Sequence, residues 1–164
     1  MFSTRSGATC VLTIIFALLT VSAAFAKPVV LVALAQASVT TAPDGSVHLA
    51  PLEDSVSVAG GTIIRYTVSA KDVGSEPARH LALVGRIPAG TTYSDQSIHG
   101  SGGHAEFSLD GKTFATHPVV VVRSAGAQTT VAADPAQYVL IRWVKDAPLV
   151  AKTSTAFSYD VIVK

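Results

Sequence analysis

Apolar residues fall along this chain in two regimes. Between residues 10 and 21 they run almost unbroken, as Cys10-Val11-Leu12 and Ile14-Ile15-Phe16-Ala17-Leu18-Leu19, with Arg5 ahead of them and Ser22-Ala23-Ala24-Phe25-Ala26 behind. A short positive start, an apolar stretch and small residues at 24 and 26 around a bulky one read as a signal peptide over 1–26, with cleavage before Lys27. The competing reading is an uncleaved anchor, because 28–37 is also apolar and would extend the span toward the roughly 20 residues a membrane helix needs. Lys27-Pro28 sets a charge and a helix breaker in its middle, which favours cleavage.

From residue 27 onward the period becomes two. Ile64, Tyr66, Val68 and Ala70 alternate with Ile63, Arg65, Thr67 and Ser69. Leu81, Leu83 and Ile87 lie opposite His80 and Arg86. Val139, Ile141 and Trp143 alternate with Tyr138, Leu140 and Arg142, and Phe157, Tyr159, Val161 and Val163 with Ser158, Asp160 and Ile162. Such alternation predicts strands with one buried face. Residues 29–39 are too densely apolar for clean alternation, which predicts a strand covered on both sides or a first strand that switches sheets. Four valines, Val119, Val120, Val121 and Val122, predict a buried strand, or an edge strand whose apolar side is covered.

Turn signals recur at Pro43-Asp44-Gly45, Asp72-Val73-Gly74 and Pro88-Ala89-Gly90, and Asp110-Gly111 predicts a tight hairpin between 106–109 and 112–114. No helical period occurs after residue 26. The chain therefore reads as all-β: an immunoglobulin-like antiparallel β-sandwich of about seven to nine strands over 27–164, preceded by a signal-peptide helix, with Trp143, Tyr66 and Phe157 at its centre.

Charge narrows the partners. The chain has 12 Lys and Arg against 11 Asp and Glu, and Arg5 is the one charge in 1–26, so the remainder is balanced and holds no basic or acidic run. Nucleic acid is not an expected partner, nor is a membrane surface once 1–26 is removed. Cys10, the single cysteine, precedes the apolar run and so cannot be the lipid-modified first residue of a mature chain. No disulfide can form within the chain, although an export compartment would permit one.

Candidate chemistry is sparse. His99 and His104 bracket Gly100-Ser101-Gly102-Gly103, and a flexible loop would let both imidazoles meet a transition metal. Two ligands do not make a site, and a third would have to come from Glu106, Asp95 or His117. Ser101 lacks the spacing and the following helix of a nucleophile elbow, and no phosphate-cradling or dinucleotide motif occurs. Asp110 is better explained by its hairpin than by acid–base work. Arg142 and Trp143 could pair on a ligand, but period two sends them to opposite faces, which makes Trp143 a core residue and Arg142 an outer one. No catalytic residues and no cofactor are expected.

Several segments carry a family resemblance: Gly61-Thr62-Ile63-Ile64-Arg65-Tyr66-Thr67-Val68, Asp72-Val73-Gly74, Ile87-Pro88-Ala89-Gly90-Thr91-Thr92-Tyr93, the run from Phe107 to Phe114, and the run from Tyr138 to Trp143. In order and spacing they resemble the conserved-repeat domain of bacterial surface and envelope proteins, an immunoglobulin-like domain of unknown function. Asp72 stands where that family usually has Asn, and Gly85-Arg86 where it usually has an Asp. Its members often repeat in tandem, whereas this chain holds one copy.

The resemblance implies a noncatalytic structural or protein-interaction module of the cell envelope. With the signal peptide it places the protein in the periplasm, with the cell surface or the medium as alternatives. An envelope protein partner would pair with the edge at Val119 to Val122. The second reading is a periplasmic metal- or small-molecule-binding protein built on the 99–104 loop.

Overall fold

The structure, a computed structural model, describes residues 27–53, 57–124 and 126–164. The segment read as a signal peptide, 1–26, lies outside the described residues. Among those residues the chain forms β1 (Val30–Thr41), β2 (Val47–Pro51), β3 (Ile63–Asp72), β4 (Ala82–Arg86), β5 (Thr91–Tyr93), β6 (His99–Gly100), β7 (Gly103–Ser108), β8 (Val119–Ser124), β9 (Ala127–Ala132), β10 (Leu140–Lys145) and β11 (Ser154–Val163). One short 3-10 turn, Pro135–Gln137, is capped by Asp134, whose carboxylate accepts from the Ala136 N–H. Every strand pair is antiparallel.

Two sheets make a sandwich. The first runs β2-β1-β3-β11-β5, with β6 also against β11, and the second runs β4-β10-β7. Alternation fixes which side faces in. On β3, Ile64, Val68 and Ala70 are buried, and on β11 so are Phe157, Tyr159 and Val161; these meet Leu83 of β4 and Ile141 and Trp143 of β10. The indole of Trp143 stacks on Phe157 across the layers, 6.0 Å between ring centres and 8° between planes. Tyr66 stacks on its cross-strand neighbour Tyr159 at 5.6 Å. On the outer side of the same sheet Arg65 and Asp160, also cross-strand partners, form a two-pronged ion pair of 2.7 and 2.8 Å.

The strand order departs from that of the common immunoglobulin sandwich. In the common immunoglobulin arrangement one sheet holds the first, second, fifth and fourth strands and the other the third, sixth and seventh. Here the chain-last strand, β11, sits in the first sheet between β3 and β5, and β7 takes the place beside β10.

Two glycines allow close approaches to rings, Gly85 between the layers and Gly103 within the second sheet. A Cβ on Gly85 would run into the Tyr159 ring, whose hydroxyl donates to the Arg86 carbonyl at 2.6 Å. A Cβ on Gly103 would stand 2.7 Å from Trp143 Nε1. That close approach leaves the indole N–H buried without a partner.

Three expectations change. β1 is not covered on both sides and does not switch sheets. It pairs with β3 along Val30 to Val39, yet Leu31, Val32 and Leu34 are exposed, because the second sheet has too few strands to reach it. The four valines are neither buried nor covered: they form β8, which pairs only with β9, and Val119, Val121 and Val122 are exposed. Nor does Asp110-Gly111 close a two-residue hairpin. The Asp110 carboxylate accepts from the Lys112 and Thr113 N–H groups at 2.8 Å each and from the Ser108 hydroxyl at 3.0 Å. It thereby organises a wider loop that closes at Phe107 and Ala115.

Candidate functional site: an exposed β-arm

β8 and β9 form a two-stranded arm outside both sheets of the sandwich. Six register pairs, from Val119 opposite Ala132 to Ser124 opposite Ala127, give it a length of about 20 Å at the usual rise per residue. β-branched residues fill both strands and favour extension: Val119 to Val122 on one, Thr129, Thr130 and Val131 on the other. Gly126, at φ +83°, supplies the reversal. Val121 is 62% exposed and Val119 57%, and Val131 on the facing strand is exposed as well.

The root of the arm is firmly held. The Ala133 N–H donates to the Pro118 carbonyl at 2.9 Å, and Ala133 itself is buried. Just before Pro118, Ala115 exchanges both backbone hydrogen bonds with Phe107 of β7, at 2.8 and 3.0 Å. Phe107 belongs to an aromatic cluster with Tyr93 and Tyr138, its ring centre 4.6 Å from that of Tyr138 and 5.4 Å from that of Tyr93. Burial pushes both phenols above their usual pKa. A notch of about 270 Å³ lies at the base, walled by Phe107, Leu109, Phe114, Pro118 and Val119. The Arg142 guanidinium sits 4.2 Å over the Phe114 ring and donates to Glu106 at 2.7 Å. Arg142 and Trp143 thus do face opposite ways, one toward this outer pair and the other into the core.

No protein-family model, no curated protein and no solved structure matches this chain.

The histidines are placed apart. His99 lies on β6, beside Ser158 in the first sheet, and His104 on β7, beside Val144 in the second. The glycine loop between them is the crossing from one layer to the other. Its glycines answer to the core: a Cβ on Gly100 would sit 3.0 Å from the Trp143 ring, and Gly103 is held as described. His104 Nδ1 is 3.0 Å from the Asp146 carboxylate and its Nε2 3.9 Å from Glu106. Asp95 and His117 line a separate hollow of about 420 Å³ with Tyr93 and Tyr138. Among the described residues no group of three His, Cys, Asp or Glu side chains could hold a metal ion.

Ser101 lies in the crossing loop between β6 and β7, and the chain continues from it into a strand. The sequence pointed to Val119–Val122 as an edge but not to β9 as its partner. The signal for β9 was present in Thr129-Thr130-Val131, a β-branched run three residues after Gly126.

Proposed function

We propose that the protein is a noncatalytic interaction module of the bacterial cell envelope, which engages a partner protein through the β8–β9 arm. The arm's exposed valines carry this reading. A two-stranded ribbon standing alone in water is marginally stable, and a strand with open backbone groups and apolar side chains is a template for pairing. Burying a valine side chain contributes up to about 1.5–3 kcal/mol, so several on one arm suffice for a specific contact. The firm root presents the arm in a fixed direction, which lowers the ordering cost of binding. The apolar run at 10–21 supports export.

The test is site-specific photo-crosslinking in cells producing the full chain, with the crosslinking amino acid at Val121 and, as a control, at Val150, which is equally exposed on the sandwich. An adduct to an envelope protein from position 121 and not from 150 supports the reading. Equal adducts from both positions, or none from 121, would overturn it.

A further inference from the structure

The second sheet has three strands against the six of the first, so the β2-β1 end of the order β2-β1-β3-β11-β5 extends past it. β7 lies over β5, where Phe107 meets Tyr93; β10 lies over β11, where Trp143 meets Phe157; and β4 lies against β11, where Gly85 meets the Tyr159 ring. Among the described residues no strand of the second sheet lies over β1. Val32 and Leu34 are register partners of the buried Ala70 and Val68 and therefore point toward the core side of the sheet, yet they are 61% and 65% exposed. Beside this uncovered strip runs β4, which pairs on one side only, with β10, and so offers an open edge of backbone N–H and C=O groups. A two-stranded ribbon added to β4 would complete the second layer and cover Val32 and Leu34.

From these features we infer that the β8–β9 arm of one copy adds to the β4 edge of a second copy, so that the protein assembles head to tail with itself. This rests on the reading of the arm as the interaction element and names its partner. The arm has the required two strands, and β8 at six residues matches β4 at five. A single copy cannot satisfy itself. The arm springs from the β7 flank of the second sheet and the open edge is β4 on the opposite flank, with β10 between them. Donor and acceptor surfaces therefore differ, and such a heterologous contact builds rings or open filaments rather than a twofold dimer sharing one patch.

The experiment is sedimentation of the protein purified from cells producing the full chain, over a wide concentration range. Val121→Lys disables the arm and Leu34→Lys disables the acceptor. Both positions are exposed, and thermal melts establish that each variant keeps the native fold. The native protein should form species larger than a dimer, each variant alone should be monomeric, and an equal mixture of the two should give a dimer and nothing larger. A native protein that stays monomeric, a variant that assembles like the native one, or a mixture that stays monomeric would overturn the inference. If the native protein is monomeric while Val121 still crosslinks to a different envelope protein, self-assembly fails and the arm's role stands; if position 121 gives no adduct, both fail.

Discussion

Asp72 is an acidic side chain with no solvent exposure at all, and its surroundings explain why it is there. Its carboxylate accepts from the Gly74 N–H at 2.8 Å and the Ala78 N–H at 3.1 Å, tying down the turn that leaves β3. Asp72→Ala would strand the buried Gly74 N–H, while the Ala78 N–H keeps its bond to the Leu149 carbonyl at 2.9 Å, and should cost about 1–3 kcal/mol, read as a lower denaturant midpoint at unchanged slope. Asp72→Asn keeps one acceptor oxygen and should cost less. Of the groups that set the pH dependence, Asp110 and Tyr159 are shifted furthest. Hydrogen bonds from the Thr113 and Lys112 amides hold the Asp110 carboxyl well below the usual range, so its contribution is complete above the unfolded pKa of about 4 and is lost as pH falls. Burial pushes the Tyr159 phenol far up, so its contribution is complete below the unfolded pKa of about 10 and is lost as pH rises. A stability profile should therefore be level between these limits and fall at both ends. Asp110→Asn should make the acid limb shallower, with Asp44 still contributing to it, and Tyr159→Phe should do the same to the alkaline limb, to which Tyr93 and Tyr138 still contribute.

At the scale of elements, the strands differ in how far a partner supports them. β3 and β11 pair from Ile63 to Lys71 within a buried layer, whereas β8 and β9 have only each other. In hydrogen exchange at a concentration too low for association, the amides of 119–132 should exchange much faster than those of 64–70 and 157–161. Equal protection in the two regions would mean that the arm is packed against something. The same contrast explains what the sequence disclosed. β3, β10 and β11 were legible because burying one face leaves a period-two trace within each strand. β1 was legible as a strand but its exposure was not, because its apolar residues look alike whether covered or bare, and cover depends on how many strands a remote sheet supplies. Val119 to Val122 was legible as a strand and as an edge for the same local reason, and its exposure was not. The hairpin at Asp110 was mis-sized because a side chain, not the two turn residues, closes that loop. Nor could the sequence show that Gly100 and Gly103 answer to Trp143 rather than to their flanking histidines, since that contact joins residues some forty positions apart.

At the scale of the molecule, stability rests on one core closed by a strand drawn from the end of the sequence described. β11 supplies Phe157, Tyr159 and Val161 to the interior and lies between β3 and β5. A chain ending before Ser154 should lose cooperative unfolding altogether, with its aromatic near-ultraviolet signal gone, while one lacking 119–132 and joined by a short turn from Pro118 to Ala133 should melt close to the native temperature. The position of β11 also governs the order of events during synthesis. A polypeptide delivered with its amino end first presents β3 long before β11 arrives, so the central seam of the larger sheet has no second neighbour until residue 163 has emerged. Until β11 zips in between them, β3 and β5 belong to no common sheet, so the larger layer closes in one late step.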